Sequence, residues 1–247
     1  MMKVVLETVV RELESLSNHI KAQQDSSKLI SRIKRDVDLA HLAEGIDVDI
    51  ASNKIFNYNS YIISLYGIFE RYIEDLLENY LINISQIHHS YEELPDIIKS
   101  NNISKSAELL LSIDLPKNKD LDSKDIIAAL HNNISNSNPT LNTKAFIQHK
   151  ANFRVSVINE YFKAVGMYEL NKKVGLYQPL STLLKEIFGN IDNISSDKLF
   201  EIINDLANRR NDVAHGAKNI DLLSPELLIE YCVFVKSYAE ALYLFLL

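Results

Sequence analysis

The sequence predicts an all-α fold, and three observations carry the prediction. The 247 residues include only 6 Gly and 5 Pro, whereas a protein of many short strands needs many turns that lean on both. Apolar residues recur at spacings of three and four along much of the chain, the period of an amphipathic helix. Neither G-x-G-x-x-G nor G-x-x-x-x-G-K-[ST] occurs, which removes the phosphate-binding turns of dinucleotide and P-loop α/β folds. At 47% hydrophobic and 24% charged, the composition is that of a globular chain, long enough for one large domain or two small ones.

Val5, Leu6, Val9, Val10, Leu13, Leu16 and Ile20 predict a first helix over about 2–24. Ser26 or Ser27 can cap a second, with Leu29, Ile30, Ile33 and Val37 on its face. Residues 44–52 read as a connection, with Gly45 a helix stop. The clearest helix spans about 58–85, and its wide stripe (Ile62, Leu65, Tyr66, Phe69, Tyr72, Ile73, Leu76, Leu77, Tyr80, Ile84) suits the centre of a bundle. Glu70, Glu74 and Glu78 share one face of it at four-residue spacing. Like charges there repel, so that face is expected to be solvated or paired.

Over 90–149 the periodicity weakens to short helices near 92–99, 104–112 and 123–132, and the Asn- and Ser-rich stretch 131–143 around Pro139 reads as a loop-rich insertion. Helices follow at about 152–165, ending at Gly166, and 179–188, ending at Gly189. Ser195 or Ser196 caps the next, about 197–214, which Gly216 stops. Ser224-Pro225-Glu226 places a cap before Pro at the first helical position and opens a final apolar helix to Leu247. No internal repeat is visible, and a single helical domain is the simplest organisation.

The charge and cysteine content narrow the function classes. One cysteine, Cys232, rules out an internal disulfide framework and a cysteine-rich zinc site, and its apolar neighbours predict a buried thiol. No leader-like segment opens the chain and no uncharged run reaches about 18 residues, so a cytoplasmic protein with no membrane span is expected. The net charge of −7 opposes bulk electrostatic binding of nucleic acid. It is unevenly spread: 67–97 holds seven acids against Arg71, while 141–173 holds six bases against Glu160 and Glu169. The second run can meet an anionic ligand, though a solvated helix face explains either equally well. Four Asn-Ile-Ser sequons, at Asn83, Asn102, Asn133 and Asn193, are expected by chance in a chain this rich in those residues.

The segment that concentrates chemistry is Leu206-Ala-Asn-Arg-Arg-Asn-Asp-Val-Ala-His-Gly216. Asn211 and His215 are four apart and share a helix face, and Arg210 is one step round. A guanidinium can hold phosphate oxygens bidentately, and an imidazole can move protons near neutrality. Against this, seven Arg and seven His in 247 residues give roughly 0.2 chance matches to Arg-x4-His. Cations near a helix C-terminus also simply complement its dipole.

The wording R-R-N-D-V-A-H-G resembles the HEPN superfamily, helical bundles marked by Arg, a polar residue and a His four to six positions on. Here these are Arg210, Asn211 and His215, placed before a final apolar helix as in that family. Ser64–Leu81 (SLYGIFERYIEDLLENYL), with Glu70 in it, and Lys150-Ala-Asn-Phe-Arg154 before a helix are similar to stand-alone bacterial HEPN proteins. The resemblance covers about 58–85 and 150–247. It implies a HEPN-type antiparallel bundle with extra N-terminal helices and an insertion over about 90–149. It further implies a metal-independent endoribonuclease without cofactor, dimeric, acting as a toxin or antiviral effector on tRNA or mRNA and held by an antitoxin or defence-system partner.

Carried over, His215 is the general acid/base, Arg210 stabilises phosphoryl charge, and Asn211 positions the Arg or the phosphate. Glu70 orients Arg210 or His215 from the facing helix. Lys144, His149, Lys150 and Arg154 form an RNA-facing strip, or else a solvated face. Arg209 and Asp212 are read as surface or pairing residues, His88-His89 as a solvated turn. Tyr161, Phe162 and Tyr168 can stack on bases, but core packing explains them better. The rival reading is a non-catalytic HEPN module that binds a nucleotide or a partner protein, which the acidic net charge favours.

Overall fold

The computed structural model describes residues 1–36, 39–134, 139–148, 151–189, 194–217 and 221–247. The helices are α1 (Met2–Ile33), α2 (Ala40–Ser52), α3 (Lys54–Ile87), α4 (Asp96–Leu111), α5 (Ser123–Ile134), α6 (Thr143–Ile147), α7 (Val155–Lys163), α8 (Leu170–Val174), α9 (Leu180–Phe188), α10 (Ser196–Leu199), α11 (Glu201–Ala214) and α12 (Pro225–Phe245). No strand occurs among the described residues, and the fold is all-α.

Three long helices make the frame. α1 pairs with α3 through Glu12–Arg71 at one end and Gln23–Tyr61 at the other. It pairs with α12 through Glu14–Lys236 and Gln24–Glu226. Both pairings run in opposite senses, so α1 is antiparallel to α3 and to α12. The apolar stripe of α3 does what its width implies. Ile62, Phe69, Ile73, Leu76, Leu77 and Leu81 are all 0% exposed, and each such side chain stabilises the fold by about 1.5–3 kcal/mol. Phe69 packs edge-on against Tyr238 of α12, and the Tyr72 hydroxyl donates to the Ala239 carbonyl at 2.6 Å. One core cluster runs from Val9 to Leu246.

A buried polar chain fixes α7 and α8 to this frame. The Tyr238 hydroxyl donates to Asn171 Oδ1 at 2.6 Å, and Asn171 Nδ2 donates to the Val155 carbonyl at 3.1 Å. Buried polar groups are expensive unless satisfied, and Asn171 is satisfied from both sides.

The 90–149 region docks on the frame and also has a small core of its own. Phe146 of α6 enters the main core. Glu78 of α3 accepts from Thr143 and Lys144, each at 3.0 Å. Leu109, Ile126 and Ala145 form a separate cluster. Buried Asn102 accepts from the Asn142 amide at 3.0 Å and donates to the Tyr91 hydroxyl at 3.3 Å.

Several boundaries differ from the sequence expectation. α1 continues through Ser26 and Ser27 because their hydroxyls bond to the carbonyls of Ala22 and Gln23, one turn back, instead of capping a new helix. The connection expected over 44–52 is helix α2, with Gly45 inside it and nothing within 4 Å of where its Cβ would lie. The two short helices expected near 92–99 and 104–112 merge into α4. The helix expected over about 197–214 breaks at Phe200, whose fully buried ring separates α10 from α11.

Candidate functional site

α11 carries the Arg–Asn–His segment, and its end is set by backbone geometry. Gly216 has φ +63, the left-handed conformation that glycine adopts without steric penalty. The Ala217 amide then bonds to the Asp212 carbonyl at 2.9 Å and the Gly216 amide to that of Val213 at 3.2 Å, the paired closure of a Schellman motif. His215 is the capping residue and is exposed.

Arg210 points back to α3. Its guanidinium carbon lies 5.5 Å from the centroid of the Tyr66 ring, a cation–π contact worth about 1 kcal/mol. Tyr66 is 2% exposed. Its hydroxyl accepts from the Phe153 amide at 2.8 Å and donates to Glu70 Oε1 at 3.1 Å. Burial first, and then the Glu70 charge, hold the Tyr66 pKa well above its ordinary value, so the phenol stays a neutral donor. Glu70 and Arg210 thus both contact Tyr66, one at its hydroxyl and the other at its ring. No carboxylate among the described residues lies within ion-pair distance of Arg210.

A second set of contacts runs along one face of α11. Asn204, Asn208, Asn211 and His215 follow at intervals of four, three and four, one stripe of a helix. The three asparagine Oδ1 atoms all accept from residues 152–155, which lead into and open α7. Asn204 receives the Val155 amide at 3.0 Å, Asn208 the Arg154 guanidinium at 2.6 Å, and Asn211 the Asn152 side-chain amide. The first of these satisfies an amide that the start of α7 leaves unpaired. Arg154 is thus brought to the motif helix, is exposed, and is held there by a neutral partner.

Arg209 has a different environment. Its Nε bonds to Asp205 at 2.6 Å, and its Nη1 bonds to the Tyr58 hydroxyl at 3.0 Å and to the Asp221 carbonyl. Tyr231 donates to the same Asp205 oxygen at 2.6 Å. Burial opposes the Arg209 charge, but Asp205 and Tyr58 outweigh it and raise the pKa. Arg209 is a clasp between α11, α3 and the segment leading into α12.

Of the other expected residues, Lys144 pairs with Glu78, which is three turns or about 18 Å along α3 from Tyr66, and is not brought to Arg210. His149 and Lys150 lie outside the described residues. Tyr161 and Phe162 are buried in the core, while Tyr168 is exposed. Cys232 is buried. Sequence reasoning missed Tyr66, Asn152, Asn204 and Asn208 as site residues. The asparagine spacing on the face of His215 was the available signal. Among the described residues no three His, Cys, Asp or Glu side chains gather in a way that could hold a metal ion.

A family model described as RiboL-PSP-HEPN matches residues 7–247. The chain belongs to this HEPN family. The match takes in α1, α2 and the 90–149 region together with the helices that build the site. Neither the curated proteins nor the solved structures contain a match. In this HEPN chain the Arg–polar–His residues are Arg210, Asn211 and His215, with Arg210 seated over Tyr66.

Proposed function

We propose that this HEPN protein is an endoribonuclease that needs no metal or cofactor. The observation that supports the reading most directly is the Arg210 guanidinium. It is steered by an aromatic face, has no carboxylate partner among the described residues, and lies on the same helix end as Asn211 and His215. Its charge is thereby left to a phosphate.

In this reaction a ribose 2′-oxygen loses its proton to a base and attacks the adjacent phosphorus. The 5′-oxygen leaves with a proton from an acid, giving a 2′,3′-cyclic phosphate and a 5′-hydroxyl. His215 supplies the proton transfer, Arg210 stabilises charge gathering on the phosphoryl oxygens, and Asn211 positions Arg210 or the phosphate. Two copies meeting in a homodimer place two His215 rings at one cleft, one as base and one as acid. Arg154 supplies a second cation for the RNA backbone. A ribonuclease of this kind harms its host when unrestrained, so the biological role is that of a cytoplasmic toxin or antiviral effector acting on tRNA or mRNA, with an antitoxin or defence-system partner.

The test is cleavage of total RNA and of tRNA with EDTA present. Wild type is expected to cleave, leaving cyclic phosphate ends, and His215→Ala and Arg210→Ala to be inactive while folded. Cleavage retained by both variants in clean preparations defeats the reading. The net charge of −7 favours a second reading, a non-catalytic HEPN module that binds a nucleotide or a protein. It expects saturable binding without cleavage under any condition.

A further inference from the structure

Between the second half of α1, the end of α2, the start of α3 and the segment entering α12 lies a cavity of about 180 Å³. Its walls are mostly apolar, with Ile20, Ile50, Leu223 and Leu228 among them. An enclosed apolar cavity of roughly 150 Å³ holds a benzene; this one, open to solvent on one side, has room for a single ring or a chain of about six carbons. No Asp or Glu lines it, although the chain has 33 acids. It has one charged lining residue, Lys54, which is exposed and has no carboxylate of the described residues within ion-pair distance. An apolar interior with a single cation at its solvent edge is complementary to an apolar body with an anionic end.

We propose that this cavity is a binding site for a small amphipathic carboxylate, of which hexanoate is the simplest. The hydrocarbon lies among Ile20, Ile50, Leu223 and Leu228, and the carboxylate meets Lys54. The site has a structural connection to the motif helix. Tyr58 is part of its wall, and the Tyr58 hydroxyl receives Arg209. Leu222, another wall residue, follows Asp221, whose carbonyl also receives Arg209. A bound ligand thus packs against one of the three groups that hold Arg209, Tyr58, and against the residue that follows a second.

The experiment is calorimetric titration of the full chain with sodium hexanoate, and with 1-hexanol as a neutral ligand of the same length. Wild type is expected to bind hexanoate saturably and about tenfold more tightly than hexanol, the scale of one charge-assisted contact. Lys54→Gln, at an exposed position, is expected to bring the two ligands to similar affinity. Leu223→Trp, which fills the cavity from a half-buried loop position, is expected to abolish binding of both. No saturable hexanoate binding by wild type, equal binding of the two ligands by wild type, or unchanged preference in Lys54→Gln overturns the proposal. None of these readouts involves RNA, so their failure is separable from failure of the ribonuclease reading.

Discussion

Arg209 and Arg210 are neighbours in sequence with opposite environments. Arg209 is bonded to Asp205, Tyr58 and the Asp221 carbonyl, while Arg210 rests on the face of Tyr66. Removing Arg209 leaves Asp205 without its cation and is expected to cost about 2–3 kcal/mol. Arg210→Ala gives up only a cation–π contact, about 1 kcal/mol or less. Urea unfolding of the two variants measures this difference, and the RNA assay is expected to rank them in reverse, with Arg210→Ala the more damaged. A larger loss of stability in Arg210→Ala would assign Arg210 to the scaffold. Arg210, Asn211 and His215 could be read from the sequence because they lie within two turns of one helix. Their supports could not. Tyr66 meets Phe153 across 87 positions and Asn152 meets Asn211 across 59, and no local pattern encodes such pairings.

At the level of helices, legibility followed the strength of the local signal. Ser224 caps α12 as expected, accepting the Leu227 amide at 3.2 Å, because Pro225 reinforces the same start. Gly216 ends α11 as expected, since only its conformation closes both terminal bonds. Ser26 and Ser27 misled because a serine hydroxyl can serve the preceding turn as well as cap the next helix. The break at Phe200 was not legible because no breaker residue marks it; the residue there is a phenylalanine whose ring is fully buried. Gly216→Ala tests the C-terminal closure. A Cβ at φ +63 is expected to cost about 1 kcal/mol, read by thermal unfolding. It is also expected to lower RNA cleavage more than stability, since the capping residue displaced is His215. A variant with wild-type cleavage would separate His215 from the helix closure.

Over the whole molecule, stability carries a pH signature from one buried group. Burial pushes the Cys232 thiol from its ordinary 9.0 up to about 12. Below pH 9 the thiol is protonated in both states and the contribution is complete. Above it the unfolded chain ionises while the folded one keeps its proton, so stability is lost as the pH rises towards the folded value. Between about pH 8 and about pH 10 the stability of wild type relative to Cys232→Ala is expected to fall by about 1 kcal/mol, measured by urea unfolding at each pH. An unchanged difference would mean the thiol is hydrated in the fold. The all-α class and the central position of α3 were legible from composition and periodicity. The separate small core around Leu109, Ile126 and Ala145 was not, because its members come from three helices with weak individual patterns.

The seam between α11 and the 152–155 segment is made from three asparagine oxygens, and none of their hydrogen-bond donors is an acid. Salt screens charges on the scale of a Debye length but has little hold on amide contacts. The seam that seats Arg154 on Asn208 should therefore keep its shape from dilute buffer to concentrated salt. Attraction of a polyanion to Arg154 and Arg210 fades over the same range. Under the ribonuclease reading, ionic strength becomes a dial that turns RNA capture without touching the seam that seats Arg154.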